Sequence, residues 1–259
     1  MKIDIDLEDS RPIAALRVPS IVHVIHNTLD KIEQKNRERS ELEPPRHDRM
    51  SGAGGCVRDR WASLRGLPLD EGKGFSPRIL ALFRLGHIIE DEVISLLQQS
   101  GYEVTDQQME VGSGDWVGHI DGIVWVTDGF RSRPSLLEVK SANARRFEQL
   151  EGSNYRDWSP GYYDQIQAYL AHMPEHLSEV QDAHVVVYNK NTSEMIVERI
   201  LFDPERATEL KENSLIVTTR GEVAPPRPKA ATAKSCKMCR WCDRAEWCWS
   251  PATDEMFDE

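Results

Sequence analysis

Gly118-His-Ile-Asp-Gly-Ile-Val-Trp-Val126, followed after a short interruption by Leu136-Leu-Glu-Val-Lys140, is the stretch that decides how this chain folds. Both segments are rich in β-branched and apolar residues, and Thr127-Asp128-Gly129 between them carries a turn signal, so an antiparallel strand pair is expected. Residues two apart in a strand point the same way, which puts Glu138 and Lys140 on one face. The hairpin-like connection can bring Asp121 opposite them. Charged side chains on apolar strands are costly unless something pairs them, and a divalent cation suits two carboxylates. The expectation is therefore a Mg2+ or Mn2+ site at Asp121 and Glu138, with the Lys140 ammonium orienting a water or steadying developing charge. That is the chemistry of phosphodiester hydrolysis.

Working outward, residues 20–39 place Ile21, Val24, Ile25, Leu29 and Ile32 at helical spacing before turning strongly charged. A Gly-rich stretch precedes Cys56, and residues 57–67 read as a short helix. Ser76-Pro77 is a helix start and Gly101 a natural stop. The long helix between them is expected to be buried through Ile79, Leu80, Phe83, Ile88, Ile89, Val93, Leu96 and Leu97. Strands are expected at residues 107–111, 116–126 and 136–141 as an antiparallel meander, then a helix over 160–173. Two further strands (183–188 and 194–202) and a helix (204–213) complete an α/β order. The fold class is α/β: a mixed central sheet flanked by helices.

The 259 residues carry a net charge of −11, which argues against a protein that coats nucleic acid non-specifically through many phosphate contacts. A nuclease is compatible with that balance, because catalytic metals need carboxylates and basic residues can be confined to the substrate groove. Arg131, Arg133, Lys140, Arg145 and Arg146 form one basic cluster, and Lys234, Lys237, Arg240 and Arg244 another. The N-terminus lacks the apolar run of a signal peptide and no later segment is apolar enough to span a bilayer, so a cytoplasmic location without membrane attachment is expected. Residues 224–233 read as a Pro/Ala/Lys-rich linker. The organisation expected is a helical segment over 1–50, a core over 51–223, and a linker with a cysteine-rich segment and acidic tail over 224–259.

The sequence holds five cysteines, and in a reducing compartment metal binding is a better reading of them than disulfides. Cys239, Cys242 and Cys248 crowd one short stretch, with Cys56 far upstream; Cys236-Lys-Met-Cys239 is itself a CxxC. Spacing alone leaves an iron-sulfur cluster and a zinc site both open.

Asp121 followed by Glu138-Val-Lys140 resembles the PD-(D/E)xK nuclease core. Gln165-Ile-Gln-Ala-Tyr169 is similar to the QxxxY element of RecB-type nucleases, and Gly86-His-Ile-Ile-Glu90 to the family's metal-binding histidine motif. The four elements stand in the family's order. The early Cys56, within Cys56-Val-Arg-Asp-Arg-Trp61, and the late CxxCx5C resemble the split found in RecB/AddB-like and CRISPR-adaptation exonucleases that carry a 4Fe-4S cluster.

This resemblance implies His87, Asp121, Glu138 and the Val139 carbonyl as metal ligands, and Lys140 as the catalytic lysine. Gln165 and Tyr169 would support the site or touch DNA, while Cys56, Cys239, Cys242 and Cys248 would bind the cluster, with Cys236 either a spare thiol or the sign of a shifted ligand register. It further implies a DNA exonuclease acting on single-stranded or exposed ends, with recombination or CRISPR-adaptation proteins as partners. Two alternatives stay open at this point: a non-catalytic DNA-binding or assembly module that keeps the fold, and a zinc-stabilised endonuclease.

Overall fold

The structure, a computed structural model, describes residues 19–43, 45–128, 131–219, 221 and 223–250. The acidic tail at 254–259 and the first residues of the chain lie outside the described residues, as does residue 129 of the expected turn.

The chain opens with helix α1 (Pro19–Leu42), the two-residue strand β1 (Asp48–Arg49) and helix α2 (Val57–Leu64). Helix α3 (Pro77–Gln99) follows, then strands β2 (Glu103–Thr105), β3 (Glu110–Ser113), β4 (Trp116–His119), β5 (Gly122–Asp128) and β6 (Arg131–Ala142). Three helices, α4 (Ala144–Glu151), α5 (Tyr155–Trp158) and α6 (Pro160–Leu170), lead to β7 (Asp182–Asn189), β8 (Met195–Leu201) and α7 (Pro204–Thr219). A short helix, α8 (Ala245–Cys248), lies in the cysteine-rich segment.

The strands form two sheets. One holds five strands in the order β2-β5-β6-β7-β8, and the other three in the order β1-β4-β3. In the larger sheet β5 and β6 pair antiparallel, β6 and β7 parallel, and β7 and β8 antiparallel, so the expected mixed sheet is present. The meander needs correction. The continuous strand expected over 116–126 breaks at Ile120-Asp121, with β4 going to the small sheet and β5 to the large one. Apolar alternation runs through the break because Ile120 is itself fully buried, so the pattern gave no sign of it.

Each face of the large sheet has its own core. Leu136, Val185 and Val187 point toward α6, where they meet Ile166, Ala168 and Leu170. Leu137, Val139 and Val186 point the other way, against Ile89, Val93 and Ile94 of α3. Helix α3 begins as its sequence predicts: Ser76 Oγ accepts from the Ile79 N–H, Pro77 occupies the first turn, and Gly101 takes positive φ just past the end. It is less buried than expected, since Phe83, Ile88 and Leu96 are exposed. Its apolar residues occur nearly all round the helix; the stripe facing the sheet is buried, and α1 packs along another part of it.

The supposed linker is partly packed. Ala224 is buried against Trp61 and Ala62 of α2, and Arg58 donates to the Pro225 carbonyl at 2.7 Å. Among the described residues no helix is long and apolar enough to cross a membrane.

Candidate active site

Asp121 stands where the two sheets part. The β5–β6 register pairs Gly122 with Leu137, and carried one residue further it sets Asp121 opposite Glu138. The contact is made through the backbone: the Val139 N–H donates to Asp121 Oδ2 at 2.7 Å. Gly122 sits tight against the neighbouring strand, where an added Cβ would lie 3.2 Å from the Thr105 carbonyl oxygen.

Glu138 projects into the α6 side of the sheet and its side chain is 0% exposed. One carboxylate oxygen, Oε1, is ion-paired with Lys140 and also accepts from Gln165 Nε2 at 3.2 Å. Gln165 in turn reaches the Tyr169 hydroxyl at 2.8 Å, which is the helical spacing of the QxxxY element made physical. The other oxygen, Oε2, is buried without a hydrogen-bond partner among the described residues. A buried carboxylate oxygen left in this state is costly, and it fits a cation that the protein chain itself does not supply.

The electrostatics follow from this crowding. Burial pushes Glu138 up to about 7, against the pull of Lys140 and with Asp121 adding to the rise. Burial also raises Asp121, opposed by Lys140 and the Val139 N–H. For Lys140 burial acts to lower the ammonium, yet Glu138 and Asp121 outweigh it and hold it raised, so the lysine stays protonated. Its Nζ lies 4.9 Å from the centre of the Tyr162 ring. Tyr155 is buried beside the same groups with its hydroxyl unpartnered among the described residues, and burial raises its phenol.

Of these groups Asp121 and Tyr169 reach a cleft of about 410 Å³, within the usual range of ligand clefts, while Glu138 and Lys140 lie behind its lining. Asp121, Tyr169, His87 and Glu90 all line it. His87 itself is mostly free of the fold, with a side chain 78% exposed and Nδ1 3.7 Å from Glu90 Oε2. Glu90 is held by Gln108, whose Nε2 donates at 2.5 Å, and burial followed by Asp121 raises its carboxyl. Among the described residues no group of three or more His, Cys, Asp or Glu side chains is set to hold a metal ion. The same cleft is lined by Arg46, His47, Arg49, Gln108, Glu110 and His119, which sequence reasoning did not select. Only His119 had a signal available, being the neighbour of Ile120-Asp121 in the quoted stretch.

The cysteines form a second locus. Cys56, Cys239, Cys242 and Cys248 line a single pocket, together with Asp59, Met238, Trp247 and Trp249. Cys236 does not line it; its sulfur instead accepts from the Cys239 N–H at 3.4 Å. None of the five cysteines is in a disulfide. Burial, then Asp59 and Cys56, push the Cys242 thiol up to about 12. Burial likewise raises Cys56. Arg244 braces the pocket from behind, donating to the Leu67 carbonyl at 2.9 Å and to Asp59 at 3.1 Å.

No family model and no curated protein matches this sequence. Among solved structures the chain is similar to an alkaline exonuclease from Laribacter hongkongensis, at 15% identity and a TM-score of 0.46 over 70% of this chain and 91% of that one. That exonuclease has also been solved in complex with dAMP. A phage-related exonuclease from Haemophilus somnus 129PT is similar at 14% identity and a TM-score of 0.45, over 67% of this chain and 92% of that one.

Proposed function

We propose that this protein is a metal-dependent nuclease of the PD-(D/E)xK kind that hydrolyses phosphodiester bonds in DNA. One observation carries the reading: Glu138 offers an unpartnered, fully buried carboxylate oxygen beside Asp121, while its other oxygen is pinned by Lys140 and Gln165. A non-catalytic module gains nothing from keeping such a costly arrangement in its interior.

Asp121 and Glu138 would hold Mg2+ or Mn2+, with His87 and the Val139 carbonyl completing the set by resemblance. When bound, such an ion neutralises charge that builds on a phosphodiester and favours attack by water. The chain does the rest. Lys140, kept protonated by its two carboxylates, places a fixed positive charge beside the reacting phosphate. Gln165 and Tyr169 hold the Glu138 side chain in one rotamer, and the Tyr162 ring covers the outer side of Lys140. His87 can move into place at little cost, because its side chain is 78% exposed and its one ion pair among the described residues is with Glu90.

The cysteine pocket is read as a 4Fe-4S site formed by Cys56, Cys239, Cys242 and Cys248, with zinc as the competing occupant. Its four thiols converge in one pocket from opposite ends of the chain, and Cys236 stands outside. A cluster there would tie the C-terminal segment (224–259) to the core (51–223). By the same resemblance the substrate is single-stranded DNA or an exposed end, the action exonucleolytic, the setting cytoplasmic, and the partners proteins of recombination or CRISPR adaptation.

The test is digestion of end-labelled single- and double-stranded DNA by anaerobically purified protein, with Mn2+, with Mg2+ and with chelator. Metal-dependent shortening from the ends is the expected result. Intact DNA under every metal condition would overturn the nuclease reading, and internal cutting would replace exonuclease by endonuclease.

A further inference from the structure

The cleft that holds Asp121 is lined by groups of both charges. Asp121, Glu90 and Glu110 supply acid, and Arg46 and Arg49 supply base. These arginines differ from others in the molecule. Arg60, Arg133, Arg206 and Arg244 are each ion-paired with a buried or half-buried carboxylate. Arg46 and Arg49 are exposed and have no ion pair among the described residues, although Glu110 lines the same cleft.

Their position is fixed from within. Strand β1 pairs parallel with β4, Asp48 against Trp116 and Arg49 against Val117. Asp48 points inward and is buried, where Arg60 Nε donates to it at 3.0 Å and Ser214 Oγ at 2.7 Å. Because neighbouring residues of a strand face opposite ways, anchoring Asp48 inward commits Arg49 to the cleft. Guanidinium groups left without carboxylate partners at the mouth of an acidic cleft are suited to phosphate, which they bind through forked hydrogen bonds.

We propose that Arg46 and Arg49, with His47 and His119 beside them, form a phosphodiester-gripping wall that holds the strand next to the scissile phosphate. This inference rests on the nuclease reading given above and adds the strand's path to it. The chain as a whole carries −11, and at physiological salt charge is screened over about 8 Å, so the local wall decides whether a strand can approach the acidic floor. The strand crosses the β1–β4 ladder, with one phosphate on Arg46 and Arg49 and another facing Asp121 in the same cleft.

The experiment measures binding of a fluorescent 20-nucleotide single strand across a salt series, using full-length Glu138→Ala as the uncleaving parent. Adding Arg46→Ala and Arg49→Ala should weaken binding about tenfold near 0.1 M salt and reduce the slope of log affinity against log salt by about two charges, roughly one per arginine. The Arg46→Lys, Arg49→Lys version should recover the slope, since it keeps the charge. With Glu138 intact, the double alanine variant should lose cleavage chiefly through a higher KM. An unchanged slope and KM in a protein that still cleaves overturns the wall and leaves the nuclease reading standing. A slope that lysine fails to restore also overturns it, because the loss then comes from a disturbed fold. Failure of the unaltered protein to cleave or bind DNA overturns the nuclease reading itself.

Discussion

The backbone N–H of Val139 donates to Asp121 Oδ2 at 2.7 Å, tying the residue at which the sheets part to the strand that carries Glu138 and Lys140. The two acids are therefore set by the sheet itself, and the lysine is set by one of the acids. Groups arranged this way act as a unit, and replacing Asp121, Glu138 or Lys140 by Ala should each lower cleavage at least about a thousandfold, with double variants little worse than single ones. Far-UV circular dichroism should stay unchanged. Near-normal cleavage by Glu138→Ala in saturating Mn2+ would remove the active site from this position.

His87 should separate metal use from folding. Its side chain is 78% exposed, so His87→Ala should shift stability by no more than about 0.5 kcal/mol. The Mn2+ concentration for half-maximal cleavage should rise roughly 10–100-fold, the scale seen when groups around a metal site are removed. Because His87 would add a nitrogen to a mostly oxygen site, Mn2+ should serve at least as well as Mg2+. An unchanged metal requirement would make His87 a surface residue only.

Gly118 leaves room for the Tyr169 ring. A Cβ there would lie 2.4 Å from Tyr169 Cε1 and 3.0 Å from Met50 Cβ, closer than packed atoms can stand. Gly118→Ala should cost about 1–3 kcal/mol in urea denaturation and reduce cleavage by displacing the hydroxyl that holds Gln165. Combining it with Tyr169→Ala should give a clearly non-additive loss of stability. Simple additivity would show that the ring and the added methyl never meet.

The cysteine pocket makes Cys56 and Cys236 a discriminating pair. On the proposed 4Fe-4S reading, Cys56→Ser should lose iron and brown colour and melt several degrees lower, because metal-binding energy would then be folding energy. Cys236→Ser should keep both. Iron and zinc analysis of anaerobic preparations, together with melting curves, reads the outcome, and the reverse pattern would mean a local C-terminal site.

Asp182 should dominate part of the acid response. Burial acts to raise it, but hydrogen bonds from Arg133, Ser135 and Arg199 hold it below the ordinary aspartate range. A depressed carboxylate contributes stability that is complete above the unfolded-state value near 3.9 and is lost as pH falls through the lower folded-state value. Wild-type protein should exceed Asp182→Asn by roughly 1–3 kcal/mol at pH 6, and the gap should narrow as pH falls below the ordinary aspartate value of about 3.9. A gap that is constant from pH 6 to pH 2.5 would assign the effect to packing.

Much of this was legible in the chain because the signals were local. Ser76-Pro77 and Gly101 bracket α3, and period-two alternation placed Glu138 and Lys140 on one face without knowledge of the fold. What escaped was set by distant pairing. Arg46 and Arg49 look like ordinary polar loop residues until β1 is laid beside β4, more than sixty residues later in sequence. The break at Ile120-Asp121 was hidden because a buried isoleucine bridges the two sheets. Tyr155 and Tyr162 reach Lys140 only after α5 and α6 fold back over the sheet, and their spacing carries no trace of that.

The pocket shared by Cys56 and the cysteines of the last described segment has a consequence for synthesis. Cys242 meets Asp59, in the first turn of α2 three residues after Cys56, across a separation of 183 residues. At translation rates of about 5–20 residues per second, α2 waits on the order of ten to forty seconds before the segment that covers Trp61 exists. During that interval a nascent chain shows an aromatic face and a reactive thiol to its surroundings. On the proposed cluster reading, the last wall of the metal pocket is also the last part of the pocket to be synthesised, so loading would wait on the ribosome as well as on the supply of metal.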